Sequence, residues 1–152
     1  MFNYRCKRFR RKVILMSEYL VKSEYTGEPW AVQNVTRDHE FFAGESDGRG
    51  GQDAGPNPVE YLAGAVNSCI AISEAMIVNH NSLDVSNFKI ETRAFTRDLG
   101  HGKSDVNAMR IRISFDSDMT GDEQQKFLDH VLQVSTVYQT LAKNVEMEVK
   151  IV

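Results

Sequence analysis

The chain has 152 residues, 41% apolar and 26% charged, with three prolines and ten glycines, which excludes collagen-like, linker-dominated and broadly disordered architectures and leaves one soluble domain. The net charge of −3 conceals an uneven distribution: Arg5, Lys7, Arg8, Arg10, Arg11 and Lys12 stand in a head without acids, and the remaining twelve cations face twenty-one acids, about −9. Such an acidic body lacks the clustered Lys and Arg that phosphate contacts require, so nucleic-acid binding is not expected.

In the basic head, Val13-Ile14-Leu15-Met16 is too short for the apolar core of a signal peptide, and Met16-Ser17-Glu18 reads as a second start. Residues 1–15 are therefore expected to be a disordered or mis-assigned extension, and residues 16–152 the single domain. Two cysteines, Cys6 and Cys69, cannot build a disulfide framework, which points to a reducing, cytoplasmic setting. His39, His80, His101 and His130 have no zinc-ligand spacing, so neither metal nor cofactor is expected.

Strand-like segments at Glu18–Tyr25, Pro29–Thr36 and His39–Ala43 are separated by hairpin signals at residues 26–28 and 37–38. The glycine-rich run from Gly44 to Pro56 is a loop. It carries neither the phosphate-loop pattern nor the dinucleotide fingerprint, since Asp53 stands where a third glycine would be needed. Asn57-Pro58-Val59-Glu60 then marks a helix start, with Asn as cap, Pro where no amide donor is wanted, and Glu able to reach back. Fourteen of the twenty residues from Val59 to Val78 are apolar, enough for about 30 Å of helix. Glu60, Asn67 and Glu74 run along it as a narrow polar stripe, and carboxylates in hydrocarbon are costly, so a buried helix is preferred to a membrane span.

Alternation over Leu83–Phe95 and Asn107–Phe115 predicts a hairpin around a mobile loop at Arg97–Val106. Thr120-Gly121-Asp122-Glu123 opens a second helix, a short third helical piece spans Ser135–Ala142, and Val145, Met147, Val149 and Ile151 alternate in a final strand. The order βββ-α-ββ-αα-β is an α+β chain with antiparallel strands. A helix apolar over most of its circumference needs cover on several sides, and about six short strands forming one sheet cover one. The economical remedy is a homodimer in which two copies of the helix pack together.

Cys69 is the only nucleophile of note in the body. Helical spacing puts Leu62, Ala65, Val66, Ser73 and Met76 on its face, about 160–200° from the polar stripe, which directs it into the apolar interior. There it would be a small core thiol unless a cation reached it, with Arg37 and Arg49 the natural candidates. Glu60 is first a capping residue.

The run Gly50-Gly51-Gln52-Asp53-Ala54-Gly55-Pro56-Asn57-Pro58-Val59-Glu60-Tyr61-Leu62, continued through Ala63-Gly64-Ala65-Val66-Asn67-Ser68-Cys69, resembles the glycine-rich loop, helix start and first cysteine of the OsmC/Ohr family, the osmotically inducible and organic hydroperoxide resistance proteins. Val134-Ser135-Thr136-Val137-Tyr138-Gln139-Thr140-Leu141 resembles its second motif, Cys-Pro-Val-x-x-Thr-Leu. The resemblance spans roughly Glu18 to Val152. It implies an OsmC-like α+β fold, an antiparallel sheet packed on a long central helix, in an intertwined homodimer. It also implies thiol-dependent peroxide chemistry: Cys69 would attack a hydroperoxide, with an arginine, matched loosely by Arg37, and a glutamate, matched by Glu60, supporting the thiolate. Two departures stand out. Ser135 holds the place of the second cysteine and cannot form a disulfide, and the glutamate follows the helix proline by two places rather than one.

The resemblance thus implies a stress-response protein with Cys69 as its single reactive thiol. An external thiol would be the reductant, and Ser135, Leu62, Val66 and Met76 would line the substrate pocket. Its peroxidase activity would be weakened or abolished by loss of the resolving thiol. The alternative is a non-catalytic dimer holding a small hydrophobic ligand in an interface pocket. A hot-dog thioesterase also wraps sheet around an apolar helix, but the second helix interrupting the strands argues against it.

Overall fold

The computed structural model describes residues 17–152; the expected extension at residues 1–15, with Cys6, lies outside them. The chain opens as an antiparallel meander of β1 (Lys22–Tyr25), β2 (Val32–Thr36) and β3 (His39–Ala43), in the order β1-β2-β3. The first two strands begin later than the apolar pattern suggests. Residues 18–21 lie outside the ladder, and Trp30 sits in the turn before β2 with φ 61. Arg37, with φ 52, forms the turn between β2 and β3.

The glycine loop folds back on the chain that precedes it. A Cβ on Gly51 would collide with the carbonyl of Glu45, and one on Gly55 with the carbonyl of Phe42. Close backbone approach is what these two glycines permit. The loop delivers the chain to α1 (Pro58–Asn81) through the expected cap: Asn57 Oδ1 accepts from the backbone N–H groups of Val59 and Glu60 at 3.0 Å, and Glu60 Oε2 accepts from the Asn57 N–H at 2.8 Å.

β4 (Val85–Gly100) and β5 (Lys103–Ser117) form one long hairpin. The expected loop at 97–106 is instead ladder almost to its tip, turning through His101 and Gly102, both at positive φ. Alternation is lost there because the outer ribbon is exposed on both faces and is held by polar pairs such as Arg97 with Asp105, 2.7 Å apart. α2 (Gly121–Val134) and α3 (Thr136–Leu141) then carry the chain back to β6 (Glu146–Ile151). β6 pairs with β5 in parallel, unlike the all-antiparallel expectation. A helical crossover returns the chain to the end where β5 began, and only a parallel pairing can follow.

The strands form two three-stranded sheets, not one of six. Val66, Ile70 and Ile77 of α1 meet Met109, Ile111 and Ile113 of β5 and Phe127, Leu128 and Val131 of α2 in one core. Each such side chain contributes about 1.5–3 kcal/mol on burial. The meander is fastened to this body where the Tyr61 hydroxyl donates to the Phe42 carbonyl and the Tyr61 and Phe41 rings approach to 5.4 Å. The α+β class with a long central helix is as the sequence predicts.

One face of α1 is left open. Gly64, Ala65, Ser68, Ile72 and Ala75 are exposed, Ile72 by 62%. α1 is long and apolar enough to cross a membrane, yet less than a quarter of its most apolar stretch is buried.

Candidate functional site

Cys69 lies near the middle of α1, on the flank that faces the joint between α2 and α3. It is half-buried, and its Sγ accepts a hydrogen bond from the backbone N–H of Val137 at 3.4 Å. Val137 stands in the first turn of α3, where N–H groups have no helical acceptor of their own. The contact joins residues 68 apart in sequence, the two segments that carried the paired motifs. Expectation placed Cys69 among hydrocarbon alone; the structure adds a polar donor, invisible in the spacing because it comes from another helix.

Ser135 is fully buried at the α2–α3 joint, and its Oγ donates to the Val131 carbonyl at 2.7 Å. That bond satisfies the hydroxyl within its own helix. Leu62 packs against the core and Val66 lies wholly inside it. Met76 is 68% exposed and lines a hollow of about 300 Å³ between α1 and α2. The expected pocket residues are therefore split between core and surface in a single chain.

Arg37 and Glu60 stand apart from this group. Arg37 lines a hollow on the meander with Tyr19, Leu20 and Val35. Glu60 is exposed and holds the helix cap. It also lines a cleft of about 380 Å³ with Arg49, Thr92 and Ser104, between the glycine loop, the start of α1 and the long hairpin.

The polar stripe of α1 points where sequence spacing did not suggest. Asn67 Oδ1 accepts from the Thr92 hydroxyl of β4 at 2.6 Å, and Glu74 is 8% exposed. Burial pushes the Glu74 carboxyl above the ordinary value of 4.5. Beyond the exposed Glu60 the stripe is covered by protein, and the small apolar face is the one left to solvent. Among the described residues, no group of three or more His, Cys, Asp or Glu is placed to hold a metal ion.

A family model described as OsmC-like protein matches residues 50–150, from the glycine loop through the last strand. The chain belongs to the OsmC-like family. Solved structures agree at the level of fold. An OsmC-like protein from Mycoplasma pneumoniae superposes with a TM-score of 0.80 at 10% identity, covering 91% of this chain and 98% of its own. An OsmC-like protein of unknown function from Vibrio cholerae gives 0.78 at 15% identity, with 90% and 100% covered. An organic hydroperoxide resistance protein from Elizabethkingia anophelis gives 0.73 at 14% identity, with 91% and 97% covered. No curated protein matches by sequence. In this OsmC-like fold Cys69 meets Val137 beside the α2–α3 joint, where Ser135 is buried.

Proposed function

We propose that this OsmC-like protein is a cytoplasmic stress-response homodimer that reduces organic hydroperoxides through Cys69 alone. The observation carrying this reading is the Val137 N–H on the Cys69 sulfur. A backbone N–H aimed at the sulfur fixes its position and is placed to donate to the anionic oxygen or sulfur that forms during turnover. In the first step the Cys69 thiolate attacks the terminal oxygen of the hydroperoxide. The O–O bond breaks, the alkoxide leaves with the electron pair and takes a proton to become an alcohol, and the sulfur becomes a sulfenic acid. With Ser135 in the second position, an external thiol condenses with the sulfenic acid, releasing water and leaving a mixed disulfide. A second external thiol then exchanges onto that disulfide and restores Cys69.

The second copy completes the site. Within one chain Arg37 rides on a meander fastened near the first turn of α1, and Cys69 stands about two turns farther on. A partner's meander laid over the open face of α1 would bring its Arg37 turn toward Cys69. That face is the self-complementary kind: Gly64, Ala65 and Ser68 are small, and Ile72 is bulky. Gly64 has nothing within 4 Å of where a Cβ would stand. A mid-helix glycine costs about 1 kcal/mol, and nothing within one chain offsets that cost.

Stopped-flow oxidation by cumene hydroperoxide tests the reading. The expected result is fast single-turnover oxidation of the wild type, none with Cys69→Ser, and a 10- to 100-fold slower reaction with Arg37→Ala. Equal, slow peroxide consumption by wild type and Cys69→Ser would remove the enzymatic claim. The burial of Ser135, with its hydroxyl committed to Val131, favours a second reading in which the dimer binds a hydrophobic ligand without turnover. Native mass spectrometry separates the two: a co-purified small molecule on a protein whose thiol ignores peroxide supports binding.

A further inference from the structure

The hollow between α1 and α2, which begins at Ser73 one turn along α1 from Cys69, gathers three side chains that take no part in the bond-making steps at the Cys69 sulfur. Met76 and His80 line it from α1, and His130 lines it from α2. Met76 and His80 are four residues apart, so they stand on one helix face, about 6 Å apart along the axis and about 40° apart around it. All three are exposed. The rest of the lining is Ile77 and Val134 with the neutral Ser73 and Asn81, and no carboxylate lines the hollow.

We propose that Met76, His80 and His130 form a binding site for a cuprous ion. Two imidazole nitrogens and one thioether sulfur are a soft to borderline donor set. Thioether sulfur selects Cu(I), whereas Mg²⁺ and Ca²⁺ favour carboxylates, and the only side-chain oxygens here are the neutral ones of Ser73 and Asn81. Zinc is served poorly, because its structural sites are closed by four ligands and its catalytic sites by three strong ones, commonly including a carboxylate or thiolate. Cu(I) is satisfied by three ligands, and a surround without carboxylate or thiolate suits a singly charged soft ion. His80 and His130 are fifty residues apart in sequence, which is why spacing alone reads them as scattered; the packing of α2 on α1 unites them.

The test is anaerobic competition for Cu(I) against bicinchoninate, with full-length protein carrying Cys6→Ser and Cys69→Ser so that thiols cannot compete. One equivalent of Cu(I) per chain is expected to leave the chelator. Affinity should fall at least tenfold with Met76→Leu and at least tenfold with His80→Ala or His130→Ala. An independent reading on the same thiol-free protein is the nitrogen–proton NMR spectrum of its imidazoles, in which the His80 and His130 signals should shift together as diamagnetic Cu(I) is added. Copper bound by the wild type but not by the thiol-free protein would overturn the proposal, as would binding indifferent to both histidine substitutions or ring signals that do not move.

Discussion

At the scale of single residues, buried polar groups decide what can be measured. Glu74 is 8% exposed, and desolvation raises its carboxyl above 4.5 in the folded chain. Its folded state holds a proton that the unfolded state releases, so stability is greatest below the ordinary value and declines as pH rises from about 4.5 to the raised value. Glu74→Gln should therefore be more stable than wild type at neutral pH, and urea titrations at pH 4 and pH 8 should differ less for the variant. Ser135→Ala removes the bond to Val131 without leaving a donor stranded, and should cost about 1 kcal/mol in denaturant midpoint analysis. Because that hydroxyl is already engaged, the rate of Cys69 oxidation should not change.

Elements respond to what lies against them. Gly51 is held where a side chain would strike the Glu45 carbonyl, so Gly51→Ala should lower stability by about 1–3 kcal/mol, read as a drop in Tm. Gly64 is the opposite case, open in the single chain and inside the second turn of α1. If α1 stood alone, Gly64→Ala would stabilise it by about 1 kcal/mol through helix propensity. With α1 packed on a second α1, the added methyl should instead weaken the dimer, and sedimentation velocity should show a dissociation constant at least tenfold higher. A dimer unchanged by Gly64→Ala would place the interface elsewhere. Sequence periodicity found α1, α2 and β5 because each buries one face in one core. It missed the tip of the long hairpin, where both faces of the ribbon meet water and alternation carries no signal.

For the whole molecule, the notable feature is that the meander and the body share little surface within one chain. Tyr25, Trp30 and Phe42 of the meander are more than a third exposed, and a three-stranded sheet packed only through Phe41 on Tyr61 is marginal alone. In the proposed dimer, amide exchange of β1–β3 should be slow and should quicken together with dissociation. Exchange that stays fast at high protein concentration would separate the meander from the interface. The sequence by itself determined the α+β order, the capped central helix, the glycine-loop entry and the kinship carried by the two motif segments. These rest on local rules of capping, period and turn chemistry that act between near neighbours. Only the tertiary structure decided that β6 runs parallel to β5, that Asn67 of the α1 stripe meets Thr92 of the sheet, that Val137 reaches the Cys69 sulfur and that two distant histidines share one hollow. Each of those depends on how separate elements are oriented against one another, and orientation is set by the packing of the whole core, which no single stretch of chain contains.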